Sequence, residues 1–345
     1  MMTTAKRIVF AFSVLGLTAC SSDDGSGNGG ASASGGQAGA GANGSGGASG
    51  GVGSGGTAAA AGSSGGNAGN GGAAGSGGSA GSTQQACPSP LPSDWIFCED
   101  FESVTDTKQV FFEHNDDDGD FKVVSGEGTS GTHALEASYQ KGEVEAGWVS
   151  VAFGRNPIVG AGKPQYRATE DFSEVWWRLR VKHEQGWPDV GPAKLMRATS
   201  FAKSNWGQAM IAHLWSSGVQ LLGDPASCVS GGSVACNQYN DFANLQWLGQ
   251  MKGTTPLFSS ALSGQWHCVE GHVKLNAPGQ KDGQFEFWID GNLENSRKDL
   301  DWRGTYSDYG VNLISVENYW NSGAVQDLKR WFDDIAIAQL RIGCG

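Results

Sequence analysis

The sequence predicts an all-β protein, a β-sandwich of the jelly-roll type, and three observations carry that reading. Apolar and polar residues alternate with period two through much of residues 87–345, the pattern of half-buried strands. The connecting segments are rich in Gly, Asn and Asp, the residues that tight turns require. No amphipathic helix longer than about three turns is visible, the length at which a 3.6-residue period becomes persuasive. Many strands joined by Gly-rich turns pack best as two sheets. A concave sheet of such a sandwich is a natural groove for a chain-like ligand.

The elements follow in order. Lys6 and Arg7 precede a mostly apolar run from Ile8 to Leu17, too short to span a bilayer as a mature helix. The run ends in Leu17-Thr18-Ala19-Cys20, which resembles a bacterial lipoprotein signal. This predicts cleavage after residue 19, lipidation of Cys20, and attachment to a membrane through the lipid alone. The expected location is the bacterial cell envelope, at the outer membrane or extracellular surface. Residues 21–86 are almost entirely Gly, Ser, Ala and Asn and cannot bury a core. As a flexible tether they have an r.m.s. span of roughly 45 Å. Residues 87–345 are then one β-domain, expected to be a monomer.

The formal charge is −12, and becomes −14 once Lys6 and Arg7 leave with the signal. That argues against nucleic acid as a partner and against a purely electrostatic grip on anionic polymers. Apart from Cys20 there are six cysteines, Cys87, Cys98, Cys228, Cys236, Cys268 and Cys344. An even set in an exported domain reads as disulfides. Short loops favour Cys87–Cys98 and Cys228–Cys236, leaving Cys268–Cys344. None has the CxxC spacing of zinc or thioredoxin-like sites.

Strands are expected near 97–102, 132–139, 147–153, 172–181, 194–201, 208–215, 243–249, 265–275, 284–289 and 311–319. Asp290-Gly291 is a hairpin turn. In the last strand, Trp331 to Ala338, alternation sends Asp333 to the face of Ile335 and Ile337, where a carboxylate needs a counter-charge or a cation. Gly126 to Gly131 matches GxGxxG but opens no helix and reads as a turn. Asn115 to Asp120 only hints at an EF-hand and reads as a solvated acidic turn. Residues 87–345 contain no GxSxG and no HExxH.

Asp100-Phe101-Glu102-Ser103, Ser130-Gly131-Thr132-His133-Ala134-Leu135, Gln265-Trp266-His267-Cys268-Val269-Glu270, and Trp331-Phe332-Asp333-Asp334-Ile335 with Arg341-Ile342-Gly343-Cys344 occur in one order. That order resembles the fungal cellulose-induced secreted proteins and their glucuronan-lyase relatives, which are concanavalin-like jelly rolls. The resemblance spans most of 95–344 and is strong in those patches. It implies a structural Ca2+ held at Glu102, Ser130, His133 and Asp333, with His133 standing where the family has an Asn and contributing through its carbonyl. Calcium takes six to eight oxygens, and two carboxylates with a carbonyl-bearing turn suit it. Backbone N–H groups or Arg330 are the other possible partners of Asp333. The resemblance also supports the Cys268–Cys344 bridge.

It further implies a polysaccharide partner and, for an enzyme, β-elimination of a uronan. A donor neutralises the uronate carboxylate, a base removes the C5 proton, and an acid protonates the leaving oxygen. The lyase relatives carry a His and an Arg two apart on a concave strand; here Ile211 and His213 stand at those positions, so the pair is not preserved. The candidates are Lys194 and Arg197 for neutralisation, His213 or His272 as base, and Tyr319 or Tyr239 as acid. Indole faces stack on sugar C–H faces while polar rims orient hydroxyls. Trp176 with Arg178, Trp215, Trp247, Trp288, Trp320 and Glu317 are the candidate substrate-binding residues. The functional expectation is a surface lipoprotein engaging polysaccharide, as a uronan lyase, a non-catalytic carbohydrate-binding module, or an adhesive protein.

Overall fold

The computed structural model describes residues 87–129, 131–191 and 194–344. The tether, the Cys20 lipidation site and the metal candidate Ser130 lie outside them. In chain order the strands are β1 (Trp95–Glu99), β2 (Glu113–Asn115), β3 (Phe121–Ser125), β4 (His133–Tyr139), β5 (Glu145–Ala152) and β6 (Glu174–His183). They continue as β7 (Lys194–Phe201), β8 (Gln208–Ser217), β9 (Gln220–Ser227), β10 (Val229–Ser230), β11 (Ser233–Val234) and β12 (Gln246–Trp247). The last six are β13 (Met251–Lys252), β14 (Trp266–Lys274), β15 (Gly283–Ile289), β16 (Asn292–Leu300), β17 (Leu313–Tyr319) and β18 (Leu328–Ala338).

Two antiparallel sheets form the sandwich. The first runs β16-β15-β14-β6-β18-β4-β3, with β1 also on β18; the second runs β12-β9-β8-β7-β17-β5-β2, with β13 also on β9. This is the all-β jelly roll that the alternation predicted. Val175, Trp177, Leu179 and Val181 of β6 face Met196, Ala198, Met210, Ala212, Ile314 and Val316 of the second sheet in one continuous core. Gly271 sits opposite Trp177 because the ring fills its side-chain space: a Cβ there would lie 2.1 Å from Trp177 Cζ2. The Asp290-Gly291 turn joins β15 to β16 with φ of 50° and 79°, both in the left-handed region of a type I′ hairpin. The three disulfides are Cys87–Cys98, Cys228–Cys236 and Cys268–Cys344.

Two local expectations change. The strand foreseen at 243–249 shrinks to Gln246–Trp247, while the unforeseen β9 runs through Gly223 and Pro225, residues that hide a strand from pattern reading. In β18 the register shifts between Asp333 and Ala336, and Asp334 takes φ 51°. Asp333 pairs with Arg180, whereas Ile337 pairs with the core residue Trp177. The bulge therefore separates Asp333 from the face of Ile335 and Ile337.

Candidate functional site

Strand register draws one polar row across the second sheet, on the face away from the core. Glu113 pairs with Ser150, Ser150 with Ser315, Ser315 with Arg197, Arg197 with His213, and His213 with Asp224. The row crosses six strands, β2-β5-β17-β7-β8-β9, a span of roughly 24 Å at about 4.8 Å per strand. Beside it, Trp148 pairs with Glu317 and Lys194 with Trp215, and Tyr319 pairs with Glu145 one step further. Period-two alternation puts these side chains outside because Val149, Val151, Ile314, Val316, Met210 and Ala212 point in.

Seven of the sequence candidates thus meet on one face: Lys194, Arg197, His213, Trp215, Trp247, Glu317 and Tyr319. Arg197 and Glu317 form an ion pair at 2.6 Å, with side chains 4% and 11% exposed. Tyr239 lies over the same guanidinium at 4.7 Å, and Asn240 Oδ1 accepts from its Nη1 at 3.2 Å. The segment after the Cys228–Cys236 bridge therefore covers Arg197. His213 is buried too; its Nδ1–H donates to the Asp224 carbonyl at 3.1 Å, its ring stacks on Trp215 at 4.6 Å, and Trp247 lies 5.6 Å away. Burial, then the positive charge of Arg197, pushes its pKa down to about 3. His213 is a neutral imidazole here, and a weak base.

Lys194 is placed differently. Its ammonium sits over the Tyr319 ring, 4.5 Å from the centroid. Burial lowers its pKa, with Arg197 adding to the fall and Glu317 and Glu145 opposing it. A lysine so shifted is closer to serving as a base near neutrality. Beside it a cavity of about 310 Å3 is lined by Trp215, Ser216, Ser217, Leu222, Gln250 and Asn321. Several polar atoms on this face are buried without a hydrogen-bond partner among the described residues: Arg197 Nε, Thr199 Oγ1, Gln208 Nε2 and Trp215 Nε1. Glu113, at the end of the row, was missed in the sequence, because a lone Glu in a three-residue strand gives no pattern signal.

His272, Trp176, Arg178 and Trp288 lie on the outer face of the first sheet, and the structure does not bring them to this row. His272 is held between Glu174 at 2.9 Å and Glu286 at 3.0 Å and stacks on Trp176 at 4.0 Å. Trp288 lies 5.2 Å from Trp176 and is almost fully buried, with Arg341 over it at 4.4 Å. Arg178 donates to the Gly343 carbonyl at 3.2 Å. The C-terminal tail thus lies across Trp176, Arg178 and Trp288, tied by Cys268–Cys344 and by Gly343 N–H to Glu270 at 2.7 Å. Trp320 belongs to the core, packed on Tyr139 and Trp187.

Of the metal candidates, Glu102 and Asp333 hold opposite ends of one turn. Asp333 Oδ2 accepts from Thr129 N–H and its Oδ1 from Asp334 N–H, both at 2.8 Å. Glu102 Oε1 accepts from the Thr132 and His133 N–H groups at 2.7 Å, and its Oε2 lies 3.3 Å from His133 Nδ1. Arg330 points elsewhere, into the core. Burial, then the neighbouring charge of Asp334, raises Asp333 to about 7, with Asp100 adding to the effect. The oxygens of Glu102 and Asp333 are thus engaged by backbone N–H groups, the partner the sequence offered as the alternative to a cation, while Arg180 Nε pairs with the neighbouring Asp334 at 3.1 Å.

No protein-family model and no curated protein matches the chain. Among solved structures the fold is similar to endo-β-1,4-glucuronan lyase from the fungus Trichoderma reesei, at 16% identity over 71% of this chain and 95% of that one, with a TM-score of 0.46. It is similar to the marine alginate lyase from Aplysia kurodai, at 13% identity over 71% and 99% of the two chains, with a TM-score of 0.49. It is also similar to the cellulose-induced protein Cip1, at 16% identity over 72% and 100%, with a TM-score of 0.41.

Proposed function

We propose that the protein binds an acidic polysaccharide across the outer face of the second sheet and cleaves it by β-elimination, with Lys194 and Tyr319 as the acid–base pair. The observation that carries this reading is the Lys194–Tyr319 contact, 4.5 Å from ammonium to ring centroid, beside the Trp215-lined cavity. Lys194, in its neutral form, takes the C5 proton of a uronate. The C5–H electrons form the C4–C5 double bond, the C4–O bond breaks, and the Tyr319 hydroxyl protonates the departing oxygen. Gln250 and Asn321 line the neighbouring cavity and supply uncharged N–H donors for the substrate carboxylate. Trp215 and Trp247 offer ring faces to sugars.

The test is ultraviolet absorbance of the unsaturated uronate product on glucuronan, alginate and pectate. Lys194→Ala or Tyr319→Phe should lower the rate by about 100- to 10,000-fold with the melting temperature kept. A flat trace from the wild type on all three polymers overturns the lyase reading. Retention on the same polymers in affinity gels then favours a non-catalytic binding module, a reading supported by the burial of Arg197 and His213 under the covering segment.

A structural calcium held by Glu102, Asp333 and the turn between them belongs to the same proposal. Its support is the placement of two carboxylates, Glu102 and Asp333, against the same short segment, at His133 and Thr129. The melting temperature should rise on adding calcium and fall in EGTA; identical melting in the two overturns it.

A further inference from the structure

We propose that the pocket at the β2–β5 edge of the second sheet is an acidic-sugar subsite, taking one uronate unit of a polysaccharide chain. This rests on the polysaccharide reading above and deepens it, since it names a charge requirement and a second anchoring point that the Lys194–Tyr319 centre does not contain.

The cavity is about 370 Å3, within the range of small-ligand pockets, roughly 300–1,000 Å3. Its wall includes the indole of Trp148, partly exposed, on the same face as Glu317 with which it pairs. Two ammonium groups stand at its rim, Lys108 beside the start of β2 and Lys163 from the segment between β5 and β6. Both are exposed, and neither forms an ion pair with any carboxylate among the described residues. Their field is felt locally: His114 has its pKa lowered first by burial and next by Lys108, with Lys163 contributing and Asp116 and Asp106 opposing. Two cations outside any ion pair line the same pocket as the indole, and although Lys163 also acts on the Glu113 carboxylate the lining keeps a net positive charge, which matches a ring that carries a carboxylate.

Glu113 completes the arrangement. It lines the pocket, is partly buried, and accepts no hydrogen bond from any described residue. A carboxylate so placed accepts from sugar hydroxyls, the usual role of the few polar groups in an otherwise ring-stacking site. Glu113 also opens the polar row that leads through Ser150, Ser315 and Arg197 to His213. The pocket and the Trp215 cavity therefore lie towards opposite ends of one face, separated by several strands.

The experiment is calorimetric titration of the full-length protein with glucuronate oligomers and with neutral cello-oligosaccharides of equal length. The Lys108→Gln/Lys163→Gln variant should bind glucuronate oligomers about ten-fold more weakly, from the loss of charge-assisted contacts, with a flatter dependence on salt. Its affinity for the neutral oligomers should be unchanged. Trp148→Ala should weaken binding of both. If the lysine variant binds glucuronate oligomers like the wild type while Trp215→Ala weakens them, the chain lies on the face but not in the pocket, and this inference alone falls. An equal loss for neutral and acidic oligomers also overturns it. No binding by the wild type removes the polysaccharide reading and the subsite with it.

Discussion

Arg330, on β18 of the first sheet, reaches through the core and donates from Nη2 to the Glu317 carbonyl of the second sheet at 2.5 Å. The same nitrogen donates to the Lys194 carbonyl at 3.1 Å, and Nε donates to Asn318 Oδ1 at 2.7 Å. The side chain is fully buried between the rings of Tyr139 and Phe332. One guanidinium thus ties together the two strands that carry Lys194 and Tyr319, from beneath. An arginine stays charged where a lysine would lose its proton, and its planar fork reaches several acceptors at once.

Arg330→Met should therefore cost about 2–4 kcal/mol of stability, because three acceptors lose a charged donor and remain buried. Urea unfolding measures it. If lyase activity is present, kcat should fall more than KM changes, since the substrate-facing groups remain but their spacing loosens. An unfolding midpoint equal to that of the wild type would show that the clamp contributes nothing.

The Arg197–Glu317 pair gives a second expectation. Removing one partner by Glu317→Gln leaves a buried guanidinium without its counter-charge, and breaking such pairs costs about 3–5 kcal/mol. Replacing both residues, as in Arg197→Met with Glu317→Leu, should cost less than the sum of the two single changes. A double-mutant cycle with no coupling energy would contradict the geometry.

His213 predicts a pH dependence with a definite sign. Its folded pKa, about 3, lies below its unfolded value near 6.5. Between these values the unfolded chain binds a proton that the folded one refuses, so stability falls as pH falls, by about 1.4 kcal/mol per pH unit. Above pH ~6.5 the term is constant. His213→Gln removes it, so the difference in stability between wild type and variant should shrink steadily from pH 6.5 toward 3. A difference that does not vary with pH would mean that the imidazole is accessible and titrates normally.

The Cys268–Cys344 bridge joins residues 76 apart in sequence and fastens the tail over Trp176 and Trp288. Cys344→Ser paired with Cys268→Ser should lower stability by about 4–5 kcal/mol in the loop-entropy model. It should also raise the fluorescence quenching of these tryptophans by acrylamide, as Arg341 and Gly343 release Glu270. Unchanged quenching would show that the tail is held without the disulfide.

Much of the fold was legible because period-two alternation is a local signal. The strands at 174–183, 266–274 and 283–289 lie within about two residues of their predicted limits. What escaped pattern reading has physical causes. β9 carries Gly223 and Pro225, β2 has three residues, and β16 is polar because it is an edge strand. The bulge at Asp334 is one residue long, and one residue is enough to reverse which face a side chain takes.

Residue types and spacing by themselves pointed to a sandwich, favoured the two short-loop disulfides, and showed a supply of Trp, Lys, Arg and Tyr suited to sugars. They could not say which side of which sheet each residue faces in space. Tertiary structure divided the candidates, gathering Lys194, Trp215, Glu317 and Tyr319 on one outer face and putting His272 on the other, with Trp176 and Trp288 under the tail. It also buried Arg197 and His213, and it brought Glu113 into a row with residues up to about a hundred or two positions away. The reason is that alternation is decided within one strand, whereas the order and register of strands in a sheet come from long-range pairing and burial of the shared core.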